Sequence, residues 1–202
     1  MSKISYIAIT MRVDLFSDRG EERSSIDNKL IDWVKSIGFV PLLLPNSKSL
    51  DLKDYLNQYP IKGFIISGGN SIKKNSARYL LENQILKYSI SKRLPVLGIC
   101  HGMQMMSHFE SGKLKRVSNH VATEHKLVCN LKKNDYPKKV NSYHNYKIDN
   151  LSHNFRIICK CEKGTIEAIQ HKRYNWLGWM WHPERDKIFD KKLIKIAKKM
   201  FN

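Results

Sequence analysis

Short apolar runs alternate with helix-period segments along the first half of the chain. Ser5–Met11, Phe39–Leu44, Lys62–Ser67 and Pro95–Ile99 are near-continuous apolar stretches rich in β-branched residues. That pattern predicts strands buried on both faces. Between them, Ser24–Ile37, Leu50–Gln58 and Ala77–Lys92 space their apolar positions three and four apart and predict helices. Strand–helix alternation predicts an α/β fold with a mostly parallel central sheet flanked by helices. Further along, Leu114–Val117, His125–Val128, Lys138–Asn141, Phe155–Cys161, Thr165–Gln170 and Asn175–Trp181 predict added antiparallel strands. The segment Lys191–Phe201 sets Leu193, Ile194, Ala197, Met200 and Phe201 on one helical face, with lysines opposite. With no repeat, linker or low-complexity stretch, residues 1–202 read as one domain.

Candidate chemistry concentrates where predicted strands end. Gly98-Ile99-Cys100-His101-Gly102-Met103-Gln104 joins a buried strand to a helix through a tight turn with a cysteine at its apex. A thiol there meets the unpaired N–H groups and positive dipole end of the helix, which favour the thiolate, the nucleophilic form. The flanking glycines suit a sharp turn that needs strained angles and close approach. The aromatic run Trp176–Trp181 delivers His182-Pro183-Glu184. In an extended segment His182 and Glu184 would face one side, the carboxylate orienting the imidazole. Phe64–Ser67 runs into Gly68-Gly69-Asn70, where a backbone N–H could approach a developing oxyanion. Ligands of such sheets bind beyond the carboxyl ends of the strands, and Gly68-Gly69 and Cys100 both fall there.

These segments, together with Val140-Asn141-Ser142-Tyr143-His144-Asn145 and Glu167-Ala168-Ile169, resemble the class I glutamine amidotransferase superfamily. Within it the chain is most similar to the peptidase C26-like γ-glutamyl hydrolase branch. The resemblance implies a flavodoxin-like fold, Cys100 as nucleophile, His182 as base and Glu184 as the third member. It implies oxyanion donors at the N–H groups of His101 and Gly69 (or Gly68), and a γ-glutamyl group held by Gln104 and Ser142-Tyr143-His144. Ala8–Arg12, with Arg12 at the end of the first strand, and Glu21-Glu22-Arg23 before the first helix resemble small bacterial members that cut γ-glutamyl amides. Nucleotide-linked amidates of capsule phosphoramidate biosynthesis are among those substrates, and Arg12, Arg23 and Gly68 join the substrate-binding candidates. Asn70-Ser71 departs from the usual pattern, which carries a further acidic residue there, and this leaves the leaving group open. A stand-alone hydrolase, a glutaminase subunit supplying ammonia to a synthetase and a non-catalytic relative compete as functions. The intact Cys–His–Glu set argues against the last. No cofactor is implied, and the candidate protein partners are a second copy of the chain or a synthetase.

Composition adds limits. The formal net charge is +18, with 36 Lys and Arg against 18 Asp and Glu. The lysine pairs Lys132-Lys133, Lys138-Lys139, Lys191-Lys192 and Lys198-Lys199 are scattered and no aromatic-interleaved basic run appears. We therefore expect a solvated lysine surface and no nucleic-acid partner. No apolar run is long enough to span a membrane, and the start, Met1–Ile7, reads as a first strand rather than a signal peptide. Cys100, Cys129, Cys159 and Cys161 show no disulfide framework, which suggests a reducing cytoplasm. Cys159-Lys160-Cys161 lacks a second ligand pair at zinc-like spacing, so no metal site is expected. His108, His120, His125, His153 and His171 are expected at surfaces or edges, with His182 and His144 lining the site and His101 contributing its backbone.

Overall fold

Alternate side chains of the apolar runs point to opposite faces of one sheet, and each face has its own core. Ile7, Ile9, Ile65, Leu97 and Ile99 pack on one side, and Ala8, Phe64, Ile66 and Val96 on the other. This is the period-two division expected of strands covered on both faces. The computed structural model describes residues 4–130 and 136–202, so Met1–Lys3 and the Lys132-Lys133 pair lie outside the described residues. The chain runs β1 (Tyr6–Thr10), β2 (Arg12–Phe16), β3 (Glu21–Ser25), α1 (Asn28–Ser36), β4 (Val40–Leu44), α2 (Leu52–Asn57), β5 (Ile61–Ile66), α3 (Ala77–Lys92), β6 (Val96–Ile99) and α4 (His101–Phe109). It continues through β7 (Lys113–Arg116), β8 (Val121–Cys129), β9 (Lys139–Tyr143), β10 (Tyr146–Asn150), β11 (Phe155–Cys161), β12 (Ile166–His171), β13 (Trp176–Trp179), a 3-10 turn at Pro183–Arg185 and α5 (Lys191–Phe201).

Nine strands form the main sheet in the order β4-β1-β5-β6-β13-β12-β11-β8-β9. The five from β4 to β13 are parallel, and the pairings from β13 to β9 are antiparallel. One core takes Leu30, Trp33 and Val34 from α1 and Leu193, Ala197 and Phe201 from α5. The other takes Leu52 and Leu56 from α2, Leu81, Ile85 and Leu86 from α3, and Met103, Met105 and Met106 from α4. The α/β architecture read from the sequence is therefore the one found. Among the described residues no helix is long and apolar enough to cross a membrane.

Capping sets the helix bounds. Asp27 accepts from the Lys29 N–H at the start of α1, and Ser76 from the Tyr79 N–H at the start of α3. The first helix begins later than its apolar spacing suggests, because Ser24 and Ser25 pair with Val13 and Arg12 in the β2–β3 hairpin. That hairpin and β10 escape a reading based on apolar alternation. Both hairpin strands are largely solvent-facing, and β10 pairs outside the main sheet, with β7.

The cysteine expectation needs correction. Cys129 and Cys159 face each other directly across β8 and β11 and are joined by a disulfide. Strand register brings them together, and sequence spacing carried no trace of it. Cys161 is a free, buried thiol.

Candidate active site

The elbow forms where β6 meets α4. Cys100 sits between them at φ 49°, ψ −100°, a conformation disfavoured for a residue with a side chain, and its N–H donates to the Trp179 carbonyl at 2.7 Å. The glycines serve close approach rather than torsion. A Cβ on Gly98 would lie 2.6 Å from Met106 Sδ, and one on Gly102 would run into the Ile66 carbonyl oxygen of β5. The strained backbone angle belongs to the cysteine itself.

β13 lies parallel to β6 with Trp179 opposite Ile99, so the chain leaves the sheet as Met180-Trp181-His182 directly beside the cysteine. Glu184 reaches back from the 3-10 turn, its Oε1 2.6 Å from His182 Nδ1. The contact is the one expected, but it forms through the 3-10 turn that starts after His182 and not through an extended strand. Asn141 on β9 clamps the histidine backbone, donating from Nδ2 to the His182 carbonyl at 2.7 Å and accepting at Oδ1 from its N–H at 2.9 Å. With Nδ1 held by Glu184, Nε2 remains for Cys100. Burial by itself would lower the His182 pKa, yet hydrogen bonds to Cys100 and Glu184 and their negative charge raise it to about 9. The imidazole rests on Gly68, where a Cβ would come within 2.5 Å of its Cε1.

The glycine loop after β5 is held from below by a buried ion network. Gly69 adopts φ +128°, which suits glycine. Arg78 Nη2 donates to the Ser67 carbonyl at 2.7 Å and the Gly68 carbonyl at 3.2 Å. Its Nε meets Glu82 Oε1 at 2.7 Å, and Glu82 Oε2 meets His101 Nε2 at 2.8 Å. Burial opposes the ionised Glu82, but the His101 and Arg78 charges hold its pKa down at about 2. One network thus ties the glycine loop to the first residue of the elbow helix. Sequence reasoning missed Arg78 and Glu82, whose i,i+4 spacing signals only a helical ion pair and not its burial. Glu82→Gln should cost about 3–5 kcal/mol, because it strands a buried guanidinium. Differential scanning calorimetry should show the melting temperature falling by about 10 °C. The carboxylate's contribution is present above its unfolded pKa and is lost as pH falls from about 4.5 towards 2, so wild type and variant should converge in acid.

A cleft of about 230 Å³ opens beside His182, lined by Arg12, Gly68, Gly69, Glu184 and Arg185 among others. Arg185 lies over the Tyr143 ring at 4.5 Å, and that ring stands edge-on to His182 at 5.9 Å. Arg185 is a third residue the sequence reading passed over, although it directly follows the His-Pro-Glu segment. A larger cavity of about 610 Å³ lies beyond Arg12 and Asn70, reaching Lys73, Tyr79 and His101. Arg12 borders both cavities and pairs with Asp14 at 2.8 Å.

Four further candidates, Arg23, Gln104, Ser142 and His144, do not line these two cavities. Arg23 pairs with Glu21, stacks over Phe16 and borders neither cavity. Gln104 Nε2 donates to the Tyr146 carbonyl at 3.0 Å. Ser142 Oγ donates to the His120 carbonyl at 2.6 Å, and the His144 side chain is fully buried against His120. The histidine expectation is corrected at three positions, since His120, His125 and His171 are all buried. The His101 side chain enters the buried network through Glu82.

The chain matches the glutamine amidotransferase class-I family over residues 21–195. It is 31% identical to a γ-glutamyl-CDP-amidate hydrolase of Campylobacter jejuni, the match covering 98% of each chain. It is also 31% identical to a glutamine-hydrolysing GMP synthase subunit of Methanosphaera stadtmanae, over 78% of this chain and 82% of that one. A glutamine amidotransferase structure from Thermotoga maritima superposes with a TM-score of 0.67 at 17% identity, covering 98% of this chain and 84% of its own. The strand-to-helix elbow thus belongs to a chain that is a member of the class I glutamine amidotransferase family.

Proposed function

We propose that the protein is a stand-alone hydrolase of γ-glutamyl amides, with Cys100 as nucleophile, His182 as base and then acid, and Glu184 as the group that orients and charges the imidazole. The observation that supports it best is this contact set at a cleft, in a chain that aligns end to end with a γ-glutamyl-CDP-amidate hydrolase. The substrate we assign is correspondingly a γ-glutamyl group joined to a nucleotide-linked amidate. Arg12, Arg185 and Lys73 supply cationic groups at the two cavities for an anionic substrate.

An imidazolium beside a thiol favours the thiolate. The Cys100 sulfur attacks the δ-carbonyl carbon, and the carbonyl electron pair moves onto oxygen. The N–H groups of His101 and Gly69 hold that oxyanion, each contributing about 3 kcal/mol. The tetrahedral adduct collapses, the C–N bond breaks, and His182 gives its proton to the departing nitrogen. His182, now neutral, takes a proton from water as the water oxygen attacks the thioester. Glutamate leaves and the thiolate–imidazolium pair is restored.

The likeness to a GMP synthase subunit supports a second reading, a glutaminase that passes ammonia to a synthetase. Glutamate release by the purified protein separates the two. The hydrolase reading expects γ-glutamyl-CDP-amidate to be cleaved at least about 100-fold faster than glutamine, since a leaving-group pocket worth about 3 kcal/mol gives that ratio. Cleavage of glutamine alone, or activity only after a synthetase is added, overturns it.

A further inference from the structure

Behind the active-site strand lies a second cluster that the mechanism does not use. His120 precedes β8, His125 is on it, His144 follows β9, and Glu167 is on β12. Their relative exposures are 5, 5, 2 and 0%. One ligand atom from each can be chosen so that all four lie within 4.8 Å of one another. His120 Nδ1 is 3.3 Å from His144 Nε2, which is 3.7 Å from Glu167 Oε1, and His125 Nε2 is 3.9 Å from that same oxygen. Four donors at zinc–ligand bond lengths stand about 3.3 Å apart around a tetrahedron, so sub-ångström to ångström adjustments close this set on one ion.

Two features point to a cation rather than to a hydrogen-bonded core. Both Glu167 carboxylate oxygens and His125 Nε2 are buried without a hydrogen-bond partner. A carboxylate left this way is costly, and a cation at the centroid of the cluster would satisfy one Glu167 oxygen and His125 Nε2 together and neutralise the carboxylate charge. His144 Nδ1 meets the Tyr146 carbonyl at 3.0 Å, and a carbonyl can only accept. That fixes the proton on Nδ1 and leaves the Nε2 lone pair facing the cluster, the arrangement that orients histidine ligands in metal sites.

We propose that His120, His125, His144 and Glu167 bind one divalent zinc-type cation. The donor set is three nitrogens and one oxygen, which suits zinc, and four protein ligands close the sphere, which makes the site structural. The ion ties β8, β9 and β12 together. β9 carries Asn141, which clamps the His182 backbone, so the site braces the catalytic histidine without touching substrate. Sequence spacing gives no sign of it, because the four residues come from separate segments. The one pair that spacing does offer, Cys159-Lys160-Cys161, is no alternative, since Cys159 is in the disulfide.

The test uses the full chain with any affinity tag removed, and its readout is metal, so it stands apart from the catalytic reading. Inductively coupled plasma mass spectrometry after zinc loading and gel filtration should give one zinc per chain. Cobalt(II) loading should give the intense visible bands of a tetrahedral site. Cys100→Ala should keep the full equivalent. His125→Ala and Glu167→Gln should retain less than about a tenth of it, since each removes a ligand. Should these variants fail to fold, wild type still decides. Less than about a tenth of an equivalent after loading, or an octahedral cobalt spectrum, overturns the proposal. So does zinc that leaves with Cys100→Ala and stays in the folded cluster variants.

Discussion

Cys100→Ala is expected to lower glutamate release by about 10⁵-fold, with the fold unchanged. Losing a nucleophile removes the covalent route outright, and what survives is the catalysis that binding and the oxyanion donors give to a water attack. The variant should be structurally quiet. Cys100 sits at a positive-φ backbone position that alanine tolerates as well as cysteine does, and its N–H bond to the Trp179 carbonyl survives the change. Melting should therefore move by only a few degrees. Acid-quenched wild type should carry a glutamyl adduct that maps to Cys100 by peptide mass spectrometry, and the variant none. A variant that kept more than about a hundredth of the wild-type rate would remove the cysteine from the mechanism, because no other nucleophile accounts for that much rate.

What the sequence disclosed, and what it withheld, divides along a physical line. The parallel half was legible because strands buried on both faces are nearly continuous apolar runs, as Phe64–Ile66 and Val96–Ile99 are. Cys100 was legible because a strand-to-helix elbow leaves a local signature, with Gly98 and Gly102 marking two close backbone approaches. His182 was legible because an aromatic strand delivers it. The β2–β3 hairpin was not, since β3 carries no apolar residue and the alternating Val13 and Leu15 of β2 are not buried in a core. Partnerships between distant polar residues were also hidden. Arg78 and Glu82 read as an ordinary helical ion pair until the fold places Ser67, Gly68 and His101 around them. His120, His125, His144 and Glu167 converge through antiparallel register, as do Cys129 and Cys159. Periodicity reports which face of an element is buried, and it carries nothing about which buried polar groups meet.

Glu184→Gln tests the acid–base half of the site and should move a pH profile as well as a rate. Glu184 Oε1 accepts from His182 Nδ1, which in the proposed mechanism keeps Nε2 free to exchange a proton with Cys100 and the leaving nitrogen. A glutamine can turn its amide NH2 towards Nδ1, which fixes the proton on Nε2 and presents the wrong tautomer. The equivalent change in other triads lowers kcat by about 10⁴, and we expect a loss of that order. The pH dependence separates orientation from charge. The His182 pKa of about 9 is the result of burial, which lowers it, outweighed by contributions from Cys100 and Glu184, which raise it. The imidazolium that the proposed mechanism uses to protonate the leaving nitrogen is therefore present at neutral pH and disappears as pH rises through about 9. Wild-type kcat/KM should fall on that alkaline limb. Removing the Glu184 charge takes away one raising contribution and leaves the burial penalty in place, so the limb of Glu184→Gln must shift to lower pH. A residue that only filled space would lower the amplitude and leave the limb where it was. An unmoved limb in a folded variant would therefore strip Glu184 of its electrostatic role and leave His182 to depend on Cys100 alone.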